Sequence, residues 1–408
     1  MGNTETTVDD HSSRRFGESE PLQPFKSRRI AKAVNVADIK ALALRKIPRV
    51  LCDFVEGGVE DELGLAANRS AFERIQFMPH YGVDTSGASL RTSVFGKEWR
   101  APFGIAPMGF NALYRPDGDL VLAQTAREAE IPFALSASCN APLERVAPGG
   151  AGNVWFQLYG TRNREIAQDL VQRANRAGIT TLIMTVDVPV ASRRERNIRN
   201  GMAIPFRPTF RDVVDAAMRP EWLLHYLRNG TPIAANWPPY AGPNATGMDV
   251  WKLFNANMFD SSQTWEDVAR IREIWPHKLV VKGILRPEDA AVVKSLGADG
   301  LIVSNHGGRQ LDRAPATIDM LPAVRAAVGE GMTVMLDSGV RRGADIVAAL
   351  CLGADFVFIG RSALYGLMAG GSEGVRKVIT ILREEMNMVL GQIGCADVSD
   401  LGPRFIRQ

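Results

Sequence analysis

Cysteine is scarce. The four in 408 residues, Cys52, Cys139, Cys351 and Cys395, stand far apart with no CxxC pair and no Cys/His ligand spacing. That argues against a disulfide scaffold and against a zinc site, so no metal is expected. No window of about 18 apolar residues is present, so no helical segment is expected to span a bilayer. The first residues, MGNTETTVDDHSSRRFGESEPLQPF, lack the apolar core of a secretory signal. Gly2 with Thr6 matches the myristoylation pattern, a short pattern that recurs by chance. Neither sign of charge is in excess: 48 Lys and Arg against 45 Asp and Glu leave +3. So small a surplus supplies no broad cationic face, and no nucleic-acid partner is expected. What is present is 46% hydrophobic and 23% charged residues, an ordinary soluble globular composition with enough chain for a large core. The expectation is a cytoplasmic, reduced-compartment protein, soluble or peripheral on the inner face of the plasma membrane.

Residues 1–34 are polar, carry the cluster Lys26-Ser27-Arg28-Arg29, and read as a flexible arm. Residues 35–400 read as one domain and 401–408 as a tail. Helices are expected over 36–75: Asn35 caps a first one, and Pro48 opens a second that runs through Val50, Leu51, Phe54 and Val55 to Gly57-Gly58. From residue 100 a rhythm sets in. Strand-length apolar runs recur at 103–107, 133–137, 154–159, 181–186, 279–283, 300–304, 333–337 and 356–360, most of them separated by one amphipathic helical stretch. Strands apolar on both faces that alternate with helices form a covered parallel sheet, and eight in one run predict an α/β fold, a closed (β/α)8 TIM barrel. One interval is too long for a barrel connection. TWEDVARIREIW reads as its helix, and about 195–262, with Trp222, Trp237 and Trp251, as an insertion after the fourth strand.

Barrel chemistry sits at the C-terminal ends of the strands. Here those ends carry Pro107-Met108-Gly109, Ser136, Gln157 with Tyr159, Thr185 with Asp187, Lys282, Ser304 with His306 and Arg309, Asp337 with Arg341, and Gly360-Arg361. The last two ends suit a phosphate, because glycines let backbone N–H groups approach an anion and arginine binds it bidentately. His306 with Asp187 suits a general base, since a carboxylate orients an imidazole and stabilises its protonated form. Arg309 offers a fork for a carboxylate. Lys282 is open to three readings: a Schiff-base amine, a fixed charge beside a cofactor, or a stem packed on the rim.

With SNHGGRQLD (304–312), WFQLY (155–159), TVDVP (185–189), VKG (281–283), LDSGVRRG (336–343) and IGR (359–361), the chain resembles the FMN-dependent α-hydroxy-acid oxidase/dehydrogenase family over roughly 35–400. The stretch 201–262 and QIGC (392–395) look most like its membrane-associated mandelate and lactate dehydrogenases. The resemblance implies FMN. Pro107, Met108 and Gly109 would lie along the flavin N5 edge, and Ser136, Gln157, Thr185 and Ser304 would belong to the isoalloxazine site. Lys282 would face N1 and the C2 carbonyl, where negative charge grows on reduction. Asp337 would hold the ribityl chain, and Gly339, Arg341, Gly360 and Arg361 the phosphate. His306 would be the base, oriented by Asp187, with Arg309 and Arg194 on the substrate carboxylate and Tyr159 on its hydroxyl or carboxylate.

The implied reaction takes an (S)-2-hydroxy acid to the 2-oxo acid and passes electrons to quinone or another acceptor. An oxygen-using oxidase and, more remotely, a non-redox phosphate-binding barrel built on Lys282 are the alternatives. Phe54 stands where the family usually has a tyrosine that grips the carboxylate, which leaves hydroxy esters or amides open as substrates. Ser138 and Ala191 are small where glycolate oxidase-like members are bulky, which favours a mandelate-sized substrate. Gly109 in place of alanine favours quinone over oxygen. The insertion, with Arg211, Arg219 and Arg228, is open to two roles, lying on a membrane or covering the substrate. A homo-oligomer, a tetramer by resemblance, is expected.

Overall fold

The computed structural model describes residues 25–150, 152–202 and 209–407. Strands β1 (Thr92–Val94) and β2 (Lys97–Trp99) form an antiparallel hairpin. Strands β3 (Phe103–Met108), β4 (Phe133–Ser136), β5 (Val154–Tyr159), β6 (Thr181–Thr185), β7 (Lys278–Ile284), β8 (Gly300–Val303), β9 (Thr333–Leu336) and β10 (Phe356–Ile359) are parallel. They close in chain order, β10 pairing back onto β3. The expected (β/α)8 barrel is present, and each apolar run coincides with its strand to within two residues.

Alternation along the strands explains why those runs are apolar throughout. Ala106, Ala134, Trp155, Ile183, Val280, Ile302, Met335, Phe356 and Phe358 fill the barrel interior, while Phe133, Phe156, Leu182, Val281 and Leu301 face the helices. The β1–β2 hairpin, which the sequence reading did not anticipate, plugs the lower end. Phe95 and Gly96 take positive φ at its two-residue turn, the geometry that matches strand twist. Trp99 is 2% exposed and meets Trp155 edge-on at 6.5 Å. Trp155 in turn meets Phe358 at 5.5 Å. With the bottom sealed by aromatics, the strand ends at the top are the open side.

Helices Val36–Leu44, Arg49–Glu56 and Leu63–Glu73 precede the barrel. Asn35 caps the first by accepting from the Asp38 amide, and the second stops at Gly57, both as expected. Two boundaries differ from expectation. The part of the arm within the described residues is anchored: Arg28–Ala31 is helical, Ile30 and Ala33 are buried, and the Ser27 amide donates to Glu373 Oε1 at 2.7 Å. The first 24 residues lie outside the described ones. The tail is also part of the body, because Phe405 is buried and its carbonyl accepts from the Met78 amide at 2.8 Å. In both segments a lone apolar residue finds a place on the core that local periodicity does not reveal.

The insertion contains helices Glu195–Arg199, Phe210–Ala217, Pro220–Asn229 and Gly247–Met258, and Trp265–Ile274 is the expected barrel helix. Its tryptophans turn inward. Trp237 and Trp251 are buried, and Trp222 Nε1 donates to the Leu113 carbonyl at 2.8 Å. The residues left outside are Phe210 (83% exposed), Met218 (67%), Leu224 (53%) and Leu227 (70%). Within the insertion the last helix packs over the barrel mouth, and the Phe210–Asn229 pair presents an apolar face to solvent.

Trp99→Ala leaves a large hole under Trp155 and should lower stability by about 3–5 kcal/mol, read as a fall in the urea midpoint. A loss below about 1 kcal/mol would mean the hairpin does not plug the barrel.

Candidate active site

At the C-terminal ends of the strands a cavity of about 490 Å³ opens, and His306, Lys282, Asp337, Tyr159, Arg194, Arg309, Arg341 and Arg361 all reach its wall. Lys282 lies opposite Thr185 in the β6–β7 register and is almost fully buried. Its ammonium sits 2.9 Å from Ser304 Oγ, 3.5 Å from Asp337 Oδ2 and 3.8 Å from Asp187 Oδ2. Burial pulls its pKa down, but the Asp187 and Asp337 carboxylates outweigh burial and hold it above the ordinary value. A Schiff-base nucleophile needs the opposite shift, so this site keeps Lys282 as a fixed positive charge.

His306 has a left-handed backbone (φ +57°), with its amide donating to Ser304 Oγ at 3.1 Å. Nδ1 lies 2.9 Å from Asp187 Oδ1. A carboxylate partner makes Nδ1 the protonated nitrogen and leaves Nε2 with its lone pair free. Burial lowers the His306 pKa, Asp187 raises it, and the positive charges of Lys282 and Arg194 add to the lowering, so the resting ring is neutral. Asp187 is ionised for the converse reason: burial would raise its pKa, but Lys282 and His306 hold it below the usual range. The close approach depends on Gly283, whose φ is +108° and where a Cβ would fall 2.6 Å from the Asp187 Cβ.

Along the adjacent strand ends runs a polar chain. Ser136 Oγ donates to Gln157 Oε1 at 3.1 Å, and Gln157 Nε2 donates to Thr185 Oγ1 at 3.0 Å. Register pairs Ser136 with Gln157 and Tyr159 with Thr185, which brings these groups side by side. Burial raises the Tyr159 pKa and keeps its phenol a donor.

Arg194 and Arg309 are partly buried in the cavity wall, and neither forms an ion pair with a carboxylate among the described residues. Arg309 Nη1 donates to the Phe54 and Gly57 carbonyls at 2.8 and 2.7 Å, and the guanidinium lies 5.2 Å from the centre of the Phe54 ring. Arg194 Nε donates to the Arg309 carbonyl at 3.3 Å, and Nη2 to Gln310 Oε1 at 3.1 Å. Burial and the charge of Arg194 push the Arg309 pKa down to about 9. An incoming anion relieves both effects.

After β9 and β10, Ser338 and Gly339 take φ values of +77° and +88°. A Cβ on Gly339 would fall 2.3 Å from the Asn68 carbonyl, so only glycine fits there. Gly360 is open toward the cavity, with nothing nearer to a built Cβ than Ala106 Cβ at 3.8 Å. Arg361 is more committed than expected for a phosphate ligand: Nε, Nη1 and Nη2 donate to the carbonyls of Val55, Gly307 and Gly57. Each terminal nitrogen keeps one further N–H.

Residues 43–408 match the family of FMN-dependent dehydrogenases. The chain belongs to that family. It is 42% identical to the (S)-mandelate dehydrogenase of Pseudomonas putida over 373 residues, covering 91% of this chain and 93% of the relative. It is 41% identical to a putative L-lactate dehydrogenase of Mycobacterium tuberculosis, covering 96% and 93%. The crystal structure of the monotopic membrane protein (S)-mandelate dehydrogenase superposes with a TM-score of 0.88 at 42% identity, covering 92% of this chain and 99% of that one.

Membership makes FMN the cofactor and the chain an oxidoreductase on CH–OH donors, in the 2-hydroxy-acid class. The residues fit that cofactor. The glycine-lined end after β9 and β10 carries guanidiniums and N–H groups suited to a phosphate, and the buried Lys282 ammonium on the same cavity would stabilise the negative charge of a reduced ring.

Sequence reading did not find several parts of the site. Asn68 and Asn305 exchange two hydrogen bonds of 2.8 Å and pin the His306 loop to helix Leu63–Glu73. Phe110, Trp251 and Phe254 form an aromatic wall, with Phe110 centred 5.3 Å from Trp251 and 6.2 Å from Phe254. The i,i+3 spacing of Trp251 and Phe254 marks a helix face, but nothing local says what it faces.

Gly283→Ala should cost about 2 kcal/mol or more, from the left-handed strain and from crowding against Asp187. The check is urea unfolding; wild-type stability would mean that Asp187 does not depend on this gap.

Proposed function

We propose that this chain oxidises a bulky (S)-2-hydroxy acid to its 2-oxo acid and delivers the electrons to quinone at a membrane surface. One observation carries the substrate reading. A neutral His306 held by Asp187 faces the same cavity as Arg194 and Arg309, two guanidiniums with no carboxylate ion pair among the described residues. That pairing favours an acid over an ester or amide, despite Phe54. Ser138 and Ala191 on the wall of the cavity that Phe110, Trp251 and Phe254 also line support a large apolar side chain.

In this reading Arg309 and Arg194 hold the substrate carboxylate and Tyr159 donates to a substrate oxygen. His306 Nε2 accepts the substrate proton while Asp187 stabilises the imidazolium that forms. Bound FMN supplies the two-electron acceptor. Pro107, Met108, Gly109, Ser136, Gln157 and Thr185 would hold its ring, and Lys282 with Ser304 would supply positive charge and a hydroxyl beside it. Asp337 takes the ribityl hydroxyls, and Gly339, Arg341, Gly360 and Arg361 hold the phosphate. Anaerobic mixing of the FMN-loaded protein with a panel of 2-hydroxy acids tests the reading: flavin bleaching by mandelate-sized acids and not by glycolate is expected. Bleaching by glycolate alone would overturn the bulky-substrate part.

Protonated His306 cannot accept a proton, so kcat/KM should fall as pH drops through a pKa held below the ordinary 6.5. Asp187→Asn removes the interaction that raises that pKa. The acid limb should therefore move to still lower pH while the plateau drops by about 100-fold or more. A limb that moves up, or an undiminished plateau, would remove Asp187 from this role.

The membrane part rests on the exposed apolar face of Phe210–Asn229 and on the monotopic character of the mandelate dehydrogenase described above. Among the described residues no helix is long and apolar enough to cross a membrane, so association is peripheral in this reading. The triple variant Phe210→Ser, Met218→Ser, Leu227→Ser should lose binding to anionic vesicles and keep flavin reduction. Unchanged vesicle binding would sink the membrane role. The family resemblance also supports a homo-oligomer, which light scattering would test.

A further inference from the structure

Phe54 leaves the Arg194–Arg309 end of the cavity one hydroxyl short of the family pattern, and a different hydroxyl stands close by. Tyr114 follows the short helical turn Asn111–Leu113 in the loop after β3. The side chain is 6% exposed and lines the cavity. Its hydroxyl makes no hydrogen bond to another described residue, and it is not among the sealed, unpartnered polar atoms either. It therefore opens on the cavity. An enclosed hydroxyl without a partner is unfavourable unless a ligand or water satisfies it. Burial pushes its pKa up, while the positive charges of Arg309 and Arg194 pull it the other way, which places both guanidiniums in its surroundings.

The backbone that carries Tyr114 is fixed from several sides. Asn111 Nδ2 donates to the Met108 carbonyl at 2.9 Å and to Asp119 Oδ1 at 2.8 Å. The Ala112 amide donates to Asn140 Oδ1 at 3.0 Å, and Trp222 Nε1 holds the Leu113 carbonyl. The phenol is thus held in place before any ligand arrives. Arg309 Nη1 has both protons on the Phe54 and Gly57 carbonyls, and Arg194 spends Nε and one Nη2 proton on the loop, so three N–H groups of each stay free for an anion. The phenol adds a neutral donor on the same cavity wall.

We propose that the Tyr114 hydroxyl donates to the substrate carboxylate in place of the hydroxyl that Phe54 lacks, so that Tyr114 determines specificity for an acid together with Arg194 and Arg309. This rests on the 2-hydroxy-acid reading above.

The test compares the wild type with Tyr114→Phe, an isosteric change, in the FMN-loaded protein. Loss of one hydrogen bond to a charged group should raise KM for the hydroxy acid about tenfold, lower kcat much less, and weaken oxalate binding, read from the flavin spectrum, by a similar factor. Affinity for the corresponding neutral hydroxy amide should change by less than about threefold, because that ligand carries no carboxylate. Adding Phe54→Tyr to Tyr114→Phe should restore oxalate binding. Phe54→Tyr alone should gain less than about threefold, since the donor is already supplied. Unchanged KM and oxalate affinity in Tyr114→Phe, or equal losses for acid and amide, would overturn the proposal. So would a tenfold gain from Phe54→Tyr alone. If no 2-hydroxy acid bleaches the wild-type flavin, it is the underlying reading that fails, and the wild-type control reports that separately.

Discussion

The ammonium of Lys282, buried between the carboxylates of Asp187 and Asp337, is the contact around which the barrel mouth is organised. A buried ammonium without anions would lose its proton, and buried carboxylates without a cation would gain one. The groups come from β7 and from the ends of β6 and β9, so their approach depends on the barrel holding its strands in register. His306 inherits its state from the same cluster: Asp187 orients it, and the Lys282 charge helps keep it neutral. The lower half of the barrel, packed with Trp155, Phe356 and Phe358 and closed by Trp99, supplies the rigidity that the upper half needs.

The second constraint is cationic. Burial brings Arg309 and Arg361 each down to about 9, helped by the charge of Arg194 at Arg309 and by those of Arg309 and Arg341 at Arg361. What holds them there is a set of carbonyls, Phe54, Val55 and Gly57, at the C-terminal end of helix Arg49–Glu56. A helix C-terminus carries partial negative charge and unsatisfied carbonyls, both suited to a guanidinium. The N-terminal helices are therefore part of the site: they fix two of the arginines that line the cavity. The fixed fork geometry suits arginine to these positions, since five N–H groups in one plane can bond two or three carbonyls and still offer several donors to the cavity, where a lysine has three in all.

Much of this was legible in the sequence because a barrel separates its signals. Strands buried on both faces are continuously apolar, and polar residues at their ends stand out against that background, as at Lys282 and His306. Of the strand-end residues, Met108, Gly109, Tyr159, Lys282, His306, Arg309, Asp337, Arg341 and Arg361 line one cavity, whereas Asp187 and Ser304 reach it through His306 and Lys282, and Ser136, Gln157 and Thr185 bond to one another outside its lining. The hairpin was not legible, because three-residue strands with alternating polarity carry no periodic signal and exist only through Trp99 meeting Trp155. The anchoring of Ile30 and Phe405 escaped for the same reason, each being one apolar residue in polar surroundings. Arg361 showed a different limit. Its presence after β10 was readable, but its partners were not, two of the three being carbonyls more than 300 residues away in sequence.

The insertion joins these themes. Its inward tryptophans and outward apolar residues alternate within one segment, so composition alone reads as a single amphipathic element, while the packing separates it into two. Trp251 and Phe254 close the cavity from the last helix. The Phe210–Asn229 pair is tied instead to the front of the site: the Arg49 amide donates to Asp215 Oδ2 at 2.7 Å, and Trp222 holds the Leu113 carbonyl. Those two contacts land on the helix that carries Phe54 and on the loop that carries Tyr114. The outer apolar face is therefore fastened, through one layer of backbone, to both residues at which the carboxylate end of the cavity departs from, or makes good, the family pattern. A force on that face, such as docking on a bilayer, has a short mechanical path to the substrate site, built from rigid secondary structure and hydrogen bonds.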